Sequence, residues 1–197
     1  MRSFSSASVL SSSSSSSFPL LLLALVASLL FTPTHQSSDL NTSSNGDFID
    51  QICRKTPFYD LCIATLHSNP LTRKPDLKGA ALVMVNNLLA NTSDTLNYIE
   101  GLIKQTSDQQ LEQALAFCAE SYIPIVKYTL PQAADAVSQG RFGFASYCIS
   151  DAAKEINNCD KRFSGSAQNK SLLGDRNGVL QKLVGVASAI MKLLLKG

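Results

Sequence analysis

Apolar residues recur at helical spacing along almost the whole chain after Phe48, and no segment shows the alternation typical of a strand. A helix with one apolar face must bury that face against a neighbour. The pattern therefore predicts an all-α fold, an antiparallel up-down-up-down four-helix bundle with an N-terminal helical hairpin between Asp47 and Leu66. The four long helices are predicted at residues 76–104, 107–137, 142–163 and 179–194.

Two features interrupt this helical pattern. Pro124 and Pro131 each remove a backbone donor inside the second long segment, so a bend is expected there. Residues 164–178 are polar and rich in Gly, Asn and Ser, which predicts a loop before the last helix.

The N-terminus has the organisation of a secretory signal peptide. Arg2 and a Ser-rich stretch precede the apolar run Phe18–Phe31, which is too short to span a bilayer. We expect residues 1–37 to be removed by cleavage near Thr34 to Ser38, with an uncleaved membrane anchor as the alternative. Residues 38–47 are predicted to be a disordered, solvated tail, and residues 48–197 to form one helical domain.

The five cysteines of a secreted chain predict two disulfides and one free thiol. Cys53 and Cys62 flank the predicted hairpin and should pair. Cys148 and Cys159 lie on one predicted helix, roughly 16 Å apart, and cannot pair with each other. Because Cys118 and Cys159 are nearly equidistant from the turn at Gly140, we expect them to form the second bridge. Cys148 is then the unpaired thiol, an inert buried side chain rather than a redox site.

Charge and spacing exclude several kinds of ligand. The chain carries 17 Lys and Arg against 15 Asp and Glu, with a net charge of +2 and both signs mixed throughout, so no nucleic-acid partner is expected. A metal site is not expected either, because Cys-x-x-Cys is missing and the two histidines are His35 and His67. No cofactor is predicted.

Groups suited to catalysis are scarce. His67 is the one general base expected in the mature chain, and it lies in a loop before a proline. Asp151 and Glu155 share one helix, whereas glycosidase carboxylates face each other across a cleft. The chain is therefore predicted not to be an enzyme, but to present a rigid surface to another protein or to carry an apolar ligand.

Several motifs together resemble the plant invertase and pectin methylesterase inhibitor family. They are the segment Cys53-Arg-Lys-Thr-Pro-Phe-Tyr-Asp-Leu-Cys62, the pair Cys118 and Cys159, the run Ser150-Asp-Ala-Ala153, and the closing apolar pattern from Asn177 to Leu194. The resemblance implies a four-helix bundle with a helical hairpin, two bridges, and a secreted inhibitor that forms a 1:1 complex with a carbohydrate-active enzyme.

The resemblance implies two alternative targets. Invertase inhibitors insert a Pro-Lys-Phe tripeptide into the enzyme, whereas pectin methylesterase inhibitors cover the substrate cleft with faces of the bundle. The tripeptide positions here hold Phe142-Gly143-Phe144, so only the last Phe matches. The lead target is therefore pectin methylesterase. Cell-wall or vacuolar acid invertase is the alternative, with Arg141 as a neighbouring source of the missing cation.

Arg141, Phe142 and Phe144 are the candidate target contacts, since Arg and aromatic side chains dominate interface energies. The competing interpretation places Phe142 and Phe144 in the core or in a hydrophobic staple at the helix start. A further alternative for the whole chain is a secreted helical signal or ligand-binding protein without an enzyme target.

Three sequons, at Asn41, Asn91 and Asn169, are candidates for N-glycosylation. The predicted location is extracellular, in the cell wall, with the vacuole as the alternative, and no membrane association is expected after signal cleavage.

Overall fold

The computed structural model describes residues 39–69, 76–163 and 167–197, with side chains described from residue 46 and, in the last segment, from residue 172. The predicted signal peptide, the site of its cleavage and Ser38 lie outside the described residues. Within these ranges every regular element is a helix and no strand occurs, which confirms the all-α prediction.

The described residues form seven α-helices, in the order α1 (Asp39–Cys53), α2 (Tyr59–His67), α3 (Leu77–Gln105), α4 (Gln109–Pro124), α5 (Leu130–Ser138), α6 (Phe142–Phe163) and α7 (Ala167–Leu194). A π-helical segment, Ile125–Thr129, joins α4 to α5. Helices α1 and α2 pack together as the predicted hairpin, and α2 contacts α3 and α7. Around the core, α3 packs on α4, α5 and α7, while α6 packs on α4, α5 and α7.

The two prolines are accommodated by the π-helical segment rather than by a break. Pro124 is the last residue of α4 and Pro131 lies in the first turn of α5, where a missing backbone donor costs little. The π-helical turn lies between them and lets the chain continue without regular α hydrogen bonds at the proline positions. The expected bend therefore takes the form of a local change of helix type.

Two boundaries differ from the sequence prediction. The helix α1 begins at Asp39, so the backbone is helical where a disordered tail was predicted. Likewise, α7 begins at Ala167, twelve residues before the predicted start at Val179. Packing explains the second difference, because Leu173 and Leu180 are buried on one helical face with Asn177 between them. Val179, which was assigned to the apolar face, is exposed.

One continuous core joins the hairpin to the long helices. Its completely buried large side chains include Leu66, Met84, Leu88, Ile99, Leu115, Tyr122, Ile149, Ile156 and Leu180. Disulfides link Cys53 to Cys62, and Cys118 to Cys159, with Cα atoms 5.5 and 4.8 Å apart. The first closes the hairpin, and the second fastens α4 to α6.

Candidate functional site

The turn between α5 and α6 places the candidate contacts. Gly140 has a φ of +74°, a left-handed conformation that side chains disfavour. The Gly140 amide donates to the Val137 carbonyl over 3.0 Å, and the Arg141 amide donates to the Ala136 carbonyl over 2.8 Å. These two bonds define a Schellman motif, which ends α5 and turns the chain directly into α6.

The first turns of α6 separate buried from exposed side chains. Phe142 is half-buried and packs against the core, and Ala145, Cys148 and Ile149 are buried behind it. Phe144 instead exposes 42% of its surface. The competing interpretation of both phenylalanines as core residues therefore fits Phe142 and does not fit Phe144.

Arg141, Phe144 and Tyr147 are spaced three residues apart at the start of α6, so Phe144 is the helical neighbour of each of the other two. The guanidinium carbon of Arg141 is 5.5 Å from the centroid of the Phe144 ring. The Phe144 and Tyr147 rings are stacked, with centroids 6.5 Å apart and an interplanar angle of 21°. These three residues, here called the Arg141 cluster, form a cation beside two adjoining aromatic surfaces.

Tyr147 was not predicted as a contact. It exposes 64% of its surface, more than Phe144. The signal that could have found it is its spacing, since a residue three positions after Phe144 on a helix must lie beside it.

Cys148 lies beneath this surface and is 3% exposed. Burial raises the pKa of its thiol, and the charge of Asp151 raises it further, while Arg141 acts in the opposite direction. The thiol is therefore held in its protonated, weakly nucleophilic form.

A second exposed aromatic surface lies on the hairpin. The Asp50 carboxylate accepts hydrogen bonds from the Arg54 Nε over 2.7 Å and from the Tyr59 hydroxyl over 2.6 Å, and both bonds lower the pKa of Asp50. Phe58 and Tyr59 are partly exposed beside an open pocket of about 350 Å³ that Lys182 of α7 also lines. The Asp50 and Tyr59 contact links α1 to α2 on the protein surface.

A similar Arg and Phe pair occurs near the opposite end of α6. Phe117 is 40% exposed, and the guanidinium carbon of Arg162 is 5.7 Å from its ring centroid. Arg162 lies in the last turn of α6, roughly 30 Å from Arg141 along the helix axis. This pair provides a matched comparison for the Arg141 cluster.

Of the three sequon asparagines, Asn91 is the one whose side chain lies within the described residues. The side chains of Asn41 and Asn169 lie outside the described residues. Asn91 is half-buried inside α3, and its side-chain nitrogen donates to the Asn87 carbonyl over 2.8 Å.

The described residues contain no group of three or more His, Cys, Asp or Glu side chains arranged to hold a metal ion. None of the helices in the described ranges combines the length and apolarity needed to cross a membrane. The described residues thus form a disulfide-stapled helical domain whose exposed cation and aromatic rings are of the residue types that dominate binding interfaces.

Comparison with known proteins identifies the family. The model of the plant invertase/pectin methylesterase inhibitor family matches residues 47–190, which is most of the chain. This chain therefore belongs to that family, whose members inhibit enzymes, and it is not itself an enzyme.

Individual relatives carry both kinds of inhibitor name. The chain is 33% identical over 147 residues to cell wall/vacuolar inhibitor of fructosidase 1 of Arabidopsis thaliana, covering 75% of this chain and 69% of that protein. It is 27% identical over 170 residues to a pectinesterase inhibitor of Actinidia deliciosa, covering 86% and 90%.

A solved structure supports the fold. A mutant form of a pectin methylesterase inhibitor from Arabidopsis superposes with a TM-score of 0.64 at 19% identity, covering 74% of this chain and 95% of that chain. At this identity the likeness concerns the fold alone.

Proposed function

We propose that this protein is a secreted inhibitor that forms a 1:1 complex with acid invertase, a fructosidase, through the Arg141 cluster. The observation that carries the proposal is the position of the Arg141 guanidinium 5.5 Å from the Phe144 ring. The resemblance described above leads us to expect a cation followed by a Phe at this position. In this chain Gly143 occupies the position of the tripeptide's Lys. Arg141, which lies just before the helix, supplies the cation instead.

The chemistry of the target fits this surface. Glycoside hydrolases hold a pair of carboxylates on either side of the scissile bond. A guanidinium binds carboxylates through two parallel hydrogen bonds, and an adjoining aromatic ring fills the apolar part of a cleft. One relative, 33% identical, is named as an inhibitor of fructosidase, and this name also supports invertase as the target. The sequence pattern alone had placed the esterase first.

Pectin methylesterase remains the second candidate target. The relative named as a pectinesterase inhibitor covers a larger share of this chain, 86%, although at the lower identity of 27%. An inhibitor of that enzyme is expected to use faces of the bundle, so its activity would depend less on the Arg141 cluster.

The test is a titration of the purified, oxidised protein into acid invertase and pectin methylesterase assays in parallel. Complete loss of invertase activity at one equivalent supports the proposal, and loss of esterase activity alone would transfer the function to the second candidate. Inhibition of neither enzyme would favour the secreted signal or ligand-binding alternative.

Variants then test the surface itself. Phe144→Ala and Arg141→Gln should each weaken invertase inhibition by about tenfold, because central Arg and aromatic anchors carry most of an interface's binding energy. Phe117→Ala in α4 is the matched control. The Phe117 ring is 40% exposed, close to the 42% of Phe144, and its Arg neighbour lies at the far end of α6. Equal weakening by the control would argue against the cluster as the contact.

The proposed location is extracellular, in the cell wall, with the vacuole as the alternative. The predicted signal peptide and the two disulfides support export to an oxidising compartment. A fluorescent fusion at the C-terminus, compared with one lacking residues 1–37, tests whether the protein is exported.

A further inference from the structure

Tyr147 stands out among the exposed aromatic side chains of the described residues. It exposes 64% of its surface, and Tyr128 of the π-helical segment follows with 61%. Tyr147 differs from Tyr128 in being stacked against a residue of the proposed contact surface. An exposed aromatic ring on a rigid helix offers a large contact area at a low entropy cost on binding.

The helix fixes Tyr147 relative to the other two members of the cluster. Successive members are about 4.5 Å apart along the axis, as three residues of helical rise require. The Phe144 ring is the shared neighbour of the other two side chains, 5.5 Å from the Arg141 guanidinium carbon and 6.5 Å from the Tyr147 ring centroid. A partner that covers Phe144 therefore also meets the Tyr147 ring.

We propose that Tyr147 is a further target-binding contact of this inhibitor, which adds a second exposed aromatic ring to the contact surface of Arg141 and Phe144. The proposal rests on the proposed function of the Arg141 cluster as the target-binding surface. The partner it fits is a hydrolase whose cleft combines carboxylates, which pair with Arg141, and an apolar wall at the cleft entrance, which covers the two stacked rings.

The position of Tyr147 separates binding from stability. Its neighbours Cys148 and Ile149 are buried, but the Tyr147 ring itself lies mostly in solvent. Replacement of an exposed side chain usually changes stability by less than about 0.5 kcal/mol. A loss of affinity without a change in stability would therefore report on the complex.

The experiment measures the inhibition constant for acid invertase, the dissociation rate and the thermal midpoint of Tyr147→Ala and Tyr147→Phe. We expect Tyr147→Ala to raise the inhibition constant about tenfold, mainly by faster dissociation, at an unchanged midpoint. Tyr147→Phe keeps the stacked ring and should stay within about threefold of the wild type. Phe117→Ala again serves as the control and should match the wild type.

Two results would overturn the inference while leaving the proposed function intact. One is wild-type inhibition by Tyr147→Ala in a series where Phe144→Ala is weakened. The other is a lowered thermal midpoint of Tyr147→Ala that accounts for its weaker inhibition. If the wild-type protein does not inhibit invertase at all, the proposed function itself fails, and this inference fails with it.

Discussion

The Tyr122 hydroxyl donates a 2.7 Å hydrogen bond to the Oδ1 atom of Asn177, and both side chains are completely buried. The bond joins α4 to α7 beside the Cys118–Cys159 bridge, since the Asn177 side-chain nitrogen lies 3.7 Å from the Cys159 sulfur. Burial also raises the pKa of Tyr122, which keeps its hydroxyl protonated as a donor.

We predict that Asn177→Leu lowers the free energy of unfolding by about 1–3 kcal/mol, because it leaves the buried Tyr122 hydroxyl without its acceptor. The double variant Tyr122→Phe with Asn177→Leu should recover part of this loss, since neither polar group then remains. Urea denaturation of the wild type, Asn177→Leu, Tyr122→Phe and the double variant measures the effect. Strictly additive losses would mean that the two side chains act independently.

The two disulfides should contribute unequally to stability. Cys118 and Cys159 are 41 residues apart and Cys53 and Cys62 are 9 apart, so the first restricts the unfolded chain more. Loop entropy alone gives about 4 kcal/mol for the first and about 2.5 kcal/mol for the second.

Paired Cys→Ala variants of each bridge, compared by denaturant unfolding, test this order. The variant lacking the hairpin bridge is the control for the general effect of removing a disulfide. A larger loss for Cys53 and Cys62 would contradict the prediction, and would mean that the hairpin depends on its bridge for more than chain entropy.

Two glycines of α7 should respond differently to the same substitution. A Cβ atom at Gly178 would meet no neighbouring atom within 4 Å, whereas one at Gly185 would lie 3.1 Å from the Phe58 ring. Gly178→Ala should therefore stabilise the protein by about 0.5–1 kcal/mol through helix propensity. Gly185→Ala should gain less or lose stability, because Phe58 must move. Thermal unfolding of both variants measures the change in stability. An equal gain for the two would show that Phe58 moves aside without a cost in stability.

The Cys148 thiol should be unreactive in the folded protein. Its pKa is raised by burial, so the thiolate is scarce near neutral pH, and reagents cannot reach the sulfur. The thiol has a lower pKa in the unfolded chain than in the folded protein. Its ionisation therefore lowers the free energy of unfolding as the pH rises above about 8.5. Ellman's reagent should detect one thiol in denaturant and almost none without it. Rapid labelling of the native protein would contradict the buried position.

The Asn91 sequon is expected to stay unmodified in the secreted protein. Its side-chain nitrogen donates to the Asn87 carbonyl, and Thr92, the middle residue of the sequon, is buried and donates its hydroxyl to the Leu88 carbonyl over 2.7 Å, so α3 holds both residues by local contacts. Peptide mass spectrometry of the purified protein, with and without glycosidase treatment, measures occupancy at each sequon. A glycan found on Asn91 would require α3 to give up the Asn87 contact.

The helical class and the disulfide pairs could be predicted from the amino-acid sequence alone. Apolar spacing marks α3 and α6 to within one residue at each end, because a long amphipathic face repeats its signal many times. The pairing of Cys118 with Cys159 agrees with the turn at Gly140, since residues at nearly equal distances on either side of a tight turn are brought close together. The alternating up-down order of the helices stays a prediction.

The features that depend on polar or exposed side chains became visible only once the helices were packed together. Asn177 counts as a loop residue by composition, yet it fills a core position because Tyr122 of another helix supplies its hydrogen bond. Phe142 and Phe144 are identical in type and nearly adjacent, and packing alone makes one a half-buried residue and the other a surface residue. Helical spacing places Tyr147 beside Phe144, but packing likewise decides that its ring is exposed. A single sequence records which side chains are apolar or polar, but the neighbours that bury or expose them come from distant helices.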